Sequence, residues 1–188
     1  MKEQTKTKKY IELVQLWNKT HNLISKDQAN NLKEHIEDSL SVSNFLGLEI
    51  LDLGSGGGFP GIPLAIKNPA KKLYLVESNT KKAAFLLNTT NQLELKNIAV
   101  YNKRIEDLRP EDFPAALEII TRAFGSATNI IKSSEHFLAR PGNSLKLMKT
   151  TQQHKEEKLP TGYKEIKLEK ILLKGKDKGR ILVTIESI

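Results

Sequence analysis

The residues best placed to do chemistry in this chain form one glycine-rich run, Asp52-Leu53-Gly54-Ser55-Gly56-Gly57-Gly58. Directly after a strand, such glycines let backbone N–H groups and a helix N-terminus approach a ligand closely. Two phosphate-binding loops are excluded by neighbouring positions. A dinucleotide fingerprint needs glycine where Phe59 stands, and a Walker A loop needs lysine after its last glycine, where Gly61 is followed by Ile62. An ordinary tight turn between a strand and a helix remains the alternative.

The pattern that is left resembles motif I of class I methyltransferases, acidic-x-Gly-x-Gly-x-Gly. It is completed by Asp52, Gly54, Gly56 and Gly58. The cofactor of those enzymes, S-adenosylmethionine, has no phosphate. It needs room for its methionine part over the glycines and an acid near its sulfonium or amino group. A second acid, Glu77, is predicted at the end of the second strand, where a carboxylate can accept both ribose hydroxyls of an adenosine.

Short apolar runs that alternate with helices must position these residues. The predicted strands cover residues 49–53, 73–77, 98–101, 117–121 and 144–148. The predicted helices between them cover about 79–95, capped by Ser78 or Asn79, and 126–139. Strands separated by helices favour a parallel sheet that is covered on both faces. The stretches 163–173 and 180–186, joined by 174–179, predict an antiparallel hairpin at the sheet edge. The expected fold is α/β, doubly wound and Rossmann-like.

Two helices are predicted before the first strand. Residues 5–24 carry apolar side chains at helical spacing, with Trp17 on the apolar stripe and therefore expected in the core. Residues 28–46 form the second predicted helix, and Gly47 is expected to cap its C-terminus. Because no linker divides the chain, we expect one domain over residues 1–188, with residues 1–47 as a helical cap on a core of residues 48–188.

Composition limits the possible functions. The 188 residues include no cysteine and four scattered histidines, so we expect neither disulfides nor a metal site. No apolar run is long enough to span a bilayer, and we expect a cytoplasmic protein. The net charge of +8 lies at the two ends: residues 1–9 carry +3 and residues 146–180 carry +6. Such segments favour polyanions such as nucleic acid, and a solvated basic surface without a partner is the alternative.

Several further motifs match one narrower family. They are Trp17-Asn18 with Asn22-Leu23, His35-Ile36-Glu37-Asp38-Ser39, the loop 54–64 ending in Phe-Pro-Gly-Ile-Pro-Leu, Val76-Glu77-Ser78 with Lys81-Lys82, Arg104-Ile105-Glu106 and Arg122-Ala123-Phe124. From about residue 10 onwards the chain resembles the bacterial 16S rRNA guanine-N7 methyltransferase G family, also known as glucose-inhibited division protein B. One departure concerns Lys149, which the family usually follows with glycine and which Thr150 follows here.

The resemblance implies a function and a set of site residues. The reaction would be methyl transfer from S-adenosylmethionine to N7 of a guanine, guanine 527, in 16S rRNA or the small ribosomal subunit particle, by a monomer. The implied cofactor-binding residues are Gly54, Ser55, Gly56, Phe59, Glu77, Ile105, Glu106 and Arg122.

On the substrate side the candidates are His35, Asp38 and Lys149, and no residue is named as catalytic. His35, Asp38 and Ser39 share one helix face and could point at the cofactor pocket, or could form an ordinary interhelical hydrogen-bond cluster. Two rival functions stay open: a methyltransferase of a small molecule or protein, and a non-catalytic RNA-binding protein on the same fold.

Overall fold

The computed structural model describes residues 1–122, 125–173 and 176–188. Its helices are α1 Glu3–His21, α2 Lys26–Asn30, α3 Leu32–Ser41, α4 Gly61–Lys67, α5 Thr80–Gln92, α6 Ala127–Leu138 and α7 Thr151–Lys155. Its strands are β1 Glu49–Leu53, β2 Lys72–Val76, β3 Ile98–Tyr101, β4 Glu118–Arg122, β5 Ser144–Thr150, β6 Tyr163–Leu173 and β7 Lys176–Ser187. Two residues of a resemblance motif, Ala123 and Phe124, and the hairpin residues Lys174 and Gly175 lie outside the described part.

All seven strands form one sheet in the order β3-β2-β1-β4-β5-β7-β6. The pairs among β1 to β5 are parallel, whereas β7 runs antiparallel to β5 and to β6. The predicted fold class is therefore confirmed, with β1 and β3 at the predicted bounds. The strand order reverses between β1 and β4, and in open α/β sheets ligands bind outside the carboxyl ends of the strands at such a reversal.

The two faces of the sheet bury separate apolar clusters because side chains alternate along each strand. Ile50 and Ile120 face the cluster formed with α1, α3, α4 and α5, which contains Tyr10 and Phe85. Leu51 and Ile119 face the other cluster, which contains most of the apolar side of α6 and the 3-10 turns after β3. Neighbouring residues of a strand therefore lie on opposite faces of the sheet. Predicted site residues contact one another only where they lie on the same face.

The prediction of one helix over 28–46 is wrong. A capping box at Ser25 starts α2 at Lys26, and the non-helical backbone of Asn31 (φ −117°, ψ 30°) separates α2 from α3. Because α3 ends at Ser41 and a 3-10 turn follows, Gly47 caps no helix. Instead its N–H donates to the Glu118 carboxylate at 2.7 Å.

Several other boundaries differ from the prediction by one to four residues, and two of these differences have a visible cause. Helix α1 ends at His21 rather than at residue 24, since Asn22 adopts a left-handed conformation with φ 47°. Trp17 is half-buried and packs edge-on against Phe85 at 5.6 Å between ring centroids, as the apolar stripe predicted. In the hairpin, β7 begins at Lys176, four residues before the predicted start, because the Leu173–Lys176 pair extends the ladder into the expected connection.

Candidate active site

The glycine loop leaves β1 through three residues with positive φ, at Gly54 (74°), Gly56 (55°) and Gly58 (92°). They differ in what surrounds them. A Cβ atom on Gly58 would lie 2.6 Å from Ile62, so this position has to be glycine for packing. A Cβ on Gly56 would have no neighbour closer than 3.7 Å, and therefore open space lies beside its backbone. Side chains there are disfavoured by conformation rather than by contact.

Glu77 directly follows β2 and is fixed by two backbone groups. Its Oε2 accepts the N–H of Gly56 at 2.9 Å, and its Oε1 accepts the N–H of Asn79 at 2.8 Å. Asn79 is the N-cap of α5, which settles the choice between the two predicted caps. The Gly56 N–H joins the carboxylate to the glycine loop. We call Gly54, Gly56, Glu77 and Asn79 the glycine-loop site.

A cavity of about 250 Å³ opens between the ends of β1 and β2, the turn after β3 and the start of α6. Its lining residues are Leu53, Gly54, Val76, Glu77, Ser78, Lys103, Arg104, Ile105, Glu106, Asn129, Ile130 and Ser133. Four predicted cofactor residues are therefore brought together here: Gly54, Glu77, Ile105 and Glu106. The polar residues Asn129 and Ser133 of α6 were missed, because no motif in the sequence links that helix to the loop.

The chemistry of this cavity fits an adenosine group. Apolar side chains of Ile105 and Ile130 offer contacts to a flat ring, and Glu77 offers carboxylate oxygens to hydroxyl donors. Each Glu77 oxygen already accepts one N–H and keeps further lone-pair capacity. The acid is consequently held in place before any ligand arrives. This prior orientation reduces the entropy that binding would otherwise cost.

Asp52, the acid of the motif, lies beneath the loop rather than in the cavity. It is fully buried, and its Oδ2 accepts the N–H of Gly61 at 2.9 Å, at the start of α4. A Cβ atom on Gly61 would lie 2.6 Å from that oxygen. Burial raises the pKa of the Asp52 carboxyl to about 7, although the Gly61 hydrogen bond lowers it. Of the two acids, Glu77 borders the cavity, and Asp52 supports the loop from inside the fold.

Phe59, Arg122 and Asp38 meet on the sheet face that carries α3. The Arg122 guanidinium lies over the Phe59 ring at 5.1 Å, and its Nη1 donates to Asp38 Oδ2 at 3.2 Å. The other oxygen of Asp38 is bound by Arg180 Nε at 3.3 Å. The side chains of Asp38 and Arg122 are 6% and 9% exposed, whereas that of Arg180 is about one-third exposed. Arg180 was missed, since nothing in the hairpin sequence relates it to α3.

His35 completes this group through its Nδ1, which lies 3.3 Å from Arg122 Nη1. Burial, and next the charge of Arg122, lower the pKa of His35, so the imidazole is neutral at pH 7. Because a guanidinium only donates, Nδ1 must accept, and the ring proton sits on Nε2. That Nε2 is buried and has no hydrogen-bond partner among the described residues. We call His35, Asp38, Arg122 and Arg180 the arginine cluster.

Lys149 lies on the opposite face of the sheet from the arginine cluster. It shares the side of β5 that carries Leu147, and its Nζ forms an ion pair with Glu157. The other Glu157 oxygen accepts the N–H of Ala127 at 2.9 Å, at the start of α6. The three substrate-side candidates are therefore divided: His35 and Asp38 are together, and Lys149 is apart from them.

Lys149 lines a second cavity of about 210 Å³ beyond the ends of β4 and β5. This cavity shares Ile130 with the first one. The other four predicted cofactor residues line neither of these two cavities: Ser55, Gly56, Phe59 and Arg122. Of these, Ser55 and Phe59 are buried in the loop. In the described ranges, His, Asp and Glu form no cluster suited to a metal ion, and none of the helices has the length and apolar character of a membrane span.

Comparison with known proteins identifies the family. The model of the rRNA small subunit methyltransferase G family, GidB, matches residues 3–178. This chain belongs to that family. A ribosomal RNA small subunit methyltransferase G of Hydrogenovibrio crunogenus is 36% identical over 181 residues, which cover 94% of this chain and 82% of that protein. Its counterpart in Xanthomonas oryzae pv. oryzae is 39% identical over 181 residues, covering 94% and 84%.

Solved structures support the fold independently of sequence. An S-adenosylmethionine-dependent methyltransferase from Aquifex aeolicus matches with a TM-score of 0.57 at 15% identity, covering 92% of this chain and 98% of that chain. A protein of the NAD-binding Rossmann superfamily from Streptococcus agalactiae matches with a TM-score of 0.61 at 14% identity, covering 87% and 68%. The predicted family and enzyme class are confirmed. So is the cofactor, because the family's methyltransferases are S-adenosylmethionine-dependent.

Proposed function

We propose that this protein transfers the methyl group of S-adenosylmethionine to N7 of a guanine in 16S rRNA, guanine 527 by its family resemblance. The observation that supports it most is the cavity at the carboxyl ends of β1 and β2, where Gly54, Glu77, Ile105 and Glu106 converge. The family match makes RNA of the small subunit the substrate class. The competing function, methylation of a small molecule or protein, has no feature of the described residues in its favour.

The residues of the glycine-loop site and their neighbours in the cavity and the loop are assigned to the cofactor as follows. Glu77, held by two N–H groups, accepts the ribose hydroxyls, and Ile105 with Glu106 flanks the adenine. The open space beside Gly56 admits the methionine part over the loop. Ser55 supports the turn of the loop, since its hydroxyl donates to the Asp52 carbonyl oxygen at 2.9 Å.

Phe59 and Arg122 are assigned to the charged end of the cofactor. Arg122 is paired with Asp38, and Asp38 is shared with Arg180. Two guanidiniums against one carboxylate, beside a neutral His35, leave this group with one surplus positive charge. Such a surplus suits an anion, and the cofactor's carboxylate is one that the reaction brings to the loop.

The chemistry needs positioning more than acid–base catalysis. When bound, S-adenosylmethionine supplies a methyl group on a sulfonium, which guanine N7 can attack in line with an existing lone pair and without losing a proton. No general base is therefore required, which agrees with the absence of a base–nucleophile pair among the predicted site residues. The protein's part is to hold the two reactants in line and to stabilise the positive charge that the purine gains.

The remaining features of the proposal concern architecture and setting. Residues 1–47 act as a helical cap on the core of residues 48–188; Tyr10 supports this, because its hydroxyl donates to the Gly57 carbonyl oxygen at 2.6 Å and joins α1 to the loop. The protein works in the cytoplasm as a monomer on 16S rRNA or on the small-subunit particle, and its net charge of +8 favours such a polyanion.

Mass spectrometry of 16S rRNA from cells with and without the gene tests the function. We expect one methylated guanine, with the mass and lability of an N7 derivative, to disappear from the deletion strain and to return with the wild-type gene. A complementing gene that carries Glu77→Ala serves as the matched control, since it should express a folded protein with weakened cofactor binding. An unchanged methylation map in the deletion strain contradicts the proposal.

A further inference from the structure

The second cavity, beyond the ends of β4 and β5, has no role in cofactor binding as assigned above. It lies between the start of α6 and helix α7, and it shares the lining residue Ile130 with the first cavity. Helix α7 forms one wall of the cavity, and a capping box between Thr150 and Gln153 fixes the N-terminus of that helix. A group in this cavity would therefore sit next to the cofactor cavity, at the carboxyl edge of the sheet where the chemistry takes place.

The polar lining of this cavity is acidic although the protein is basic. Glu156 and Glu157 contribute two negative charges and Lys149 one positive charge, which leaves a net charge of −1 in a chain of +8. A phosphate would be repelled by this lining, whereas a neutral group rich in N–H donors would be accepted. Thr121 adds a hydroxyl: the residue is 2% exposed, and its Oγ1 has no hydrogen-bond partner among the described residues.

The two carboxylates are not equally available. Glu157 uses one oxygen for Lys149 and the other for the Ala127 N–H, so it ties α6, β5 and the segment after α7 together. Glu156 is exposed, and its carboxylate accepts a hydrogen bond from the Gln152 amide one helical turn earlier. Of the two, Glu156 can turn towards a ligand without breaking a buried ion pair.

We propose that this cavity receives the target guanine base, with the Glu156 carboxylate bound to its N1–H and 2-amino groups. The inference rests on the proposed function and specifies its substrate subsite. A base methylated inside a folded RNA has to leave its stack and enter a pocket, where its Watson–Crick edge is read by hydrogen bonds. The Watson–Crick edge of guanine presents two adjacent N–H donors, which match the two oxygens of one carboxylate. The Thr121 hydroxyl gains a partner from the inserted base.

The same placement serves the charge that develops during the reaction. N7 methylation makes the purine cationic, and a lining with a net charge of −1 stabilises that cation. The arginine cluster on the other sheet face could not do this, because its surplus charge is positive. The acidic cavity thus binds the base, and the basic outer surface of the protein binds the phosphates of the RNA.

Two substitutions and one base analogue test the proposal. The substrates are reconstituted small subunits, or their RNA, with guanosine or inosine at the position that the wild-type protein methylates; inosine lacks the 2-amino group. We expect the wild-type protein to be roughly 10- to 100-fold lower in kcat/KM on inosine, the range for removing a hydrogen bond to a charged group. Glu156→Gln should be impaired about as much on guanosine and little more on inosine. Glu111→Gln, an exposed glutamate that lines neither cavity, should match the wild type.

Thr121→Val provides a second, independent readout. Because its hydroxyl has no partner among the described residues of the free protein, the substitution should leave the free energy of unfolding unchanged or raised. Cofactor affinity should also stay the same, while KM for RNA rises several-fold. If Glu156→Gln and Thr121→Val both methylate like the wild type with the same guanosine-to-inosine ratio, the base does not enter this cavity. If the wild-type protein methylates no guanosine at all, the proposed function itself falls.

Discussion

The glycine-loop site and the arginine cluster differ in how far apart their members lie in the chain. In the first, Glu77 binds the N–H of Gly56, 21 residues away, and of Asn79, two residues away. In the second, Asp38 and Arg122 are 84 residues apart, and Arg180 arrives from the last strand. The first is a property of one βαβ unit, whereas the second exists only when helix α3, β4 and β7 have all been assembled.

This difference indicates which interactions stabilise each site. Backbone hydrogen bonds and positive φ angles shape the glycine-loop site, and a ligand is expected to benefit from them. Buried ion pairs hold the arginine cluster, and removing one partner from such a pair leaves a charge without compensation. We therefore expect substitutions in the arginine cluster to act first on folding and those in the glycine-loop site to act first on cofactor affinity.

The strongest predicted effect is on stability, from Asp38→Ala. The substitution leaves the buried Arg122 guanidinium without its carboxylate and also removes the partner of Arg180. Breaking a buried pair in this way costs about 3–5 kcal/mol in the free energy of unfolding, which urea denaturation measures. Asp112→Ala is the control, since it breaks an exposed pair with Arg109 (3.0 Å) and should cost about 1 kcal/mol or less. Equal destabilisation in both variants contradicts a structural role for the cluster.

The next effect is on cofactor affinity, from Glu77→Ala. Removing the hydrogen bonds between a carboxylate and the ribose hydroxyls costs about 1.5–3 kcal/mol, which corresponds to a dissociation constant for S-adenosylmethionine that is roughly 10- to 150-fold higher. Calorimetry measures this, and unfolding should show a smaller destabilisation than for Asp38→Ala. Glu106→Ala gives the comparison, because Glu106 lines the same cavity but is exposed, and a weaker effect is expected. Unchanged affinity in Glu77→Ala would remove this acid from the site.

Much of the glycine-loop site could be predicted because its signals are local. The alternation of strands and helices placed β1 and β3 at their bounds. The predicted position of Glu77 at the end of the second strand placed it at the carboxyl edge beside Gly54. What the motif could not tell is which acid faces the cavity. Asp52 and Glu77 both follow the pattern of a ligand-binding carboxylate, yet only the packing of Gly61 against Asp52 shows that the first is enclosed.

The arginine cluster and the charge distribution could not be predicted in this way. The helix pattern placed His35 and Asp38 on one face, but their partners come from strands whose positions depend on the whole sheet. The net charge of a sequence segment likewise does not show which of its charges lie on the surface. Lys146 and Lys149 belong to the basic segment 146–180, and both are buried in ion pairs, with Glu118 at 3.3 Å and with Glu157. The number of lysines in a sequence is therefore an upper bound on the positive surface that RNA meets.

A smaller effect concerns the response of Asp52, the buried acid of the glycine loop, to pH. The folded-state pKa of Asp52 is about 7, against an ordinary value of 3.8. Between those values the folded state binds the extra proton, so this group lowers stability as pH rises, with the full penalty above about pH 7. Asp52→Asn should thus be more stable relative to wild type at about pH 8 than at about pH 5, by roughly 1–3 kcal/mol.

Urea denaturation at both pH values measures that difference. The new amide also lacks a partner where Asp52 Oδ1 now has none among the described residues, but this cost is the same at both pH values and cancels in the difference. Asp112→Asn is the control, since it makes the same replacement of a carboxylate by an amide at an exposed position. A difference of the opposite sign would mean that the ionised Asp52 is favoured by the fold.

The weakest predicted effect concerns the outer surface and tests which lysines meet RNA. Lys164 and Lys170 lie exposed on β6, at the edge of the sheet. The basic segment also includes Lys174, Lys176 and Lys178 around the hairpin connection, whose backbone or side chains lie outside the described part. The test therefore uses Lys164 and Lys170 and leaves out the third lysine of β6, Lys167, which is paired with Glu169. Each phosphate that a lysine no longer neutralises should reduce the slope of log affinity against log salt by roughly 0.7–0.9.

Lys164→Gln with Lys170→Gln should therefore flatten the salt dependence of RNA binding by up to about 1.4–1.8 and leave cofactor affinity unchanged, because neither side chain lines the cofactor cavity. Filter binding across a salt series measures the slope. The control pair is Lys72 and Lys96, which are also exposed but lie at the amino ends of β2 and β3, away from the reactive edge. If both double variants flatten the slope equally, the RNA contact is a diffuse attraction to the whole basic protein. If only the β6 pair does, the hairpin binds the RNA phosphates, and the carboxyl edge of the sheet contacts the target base.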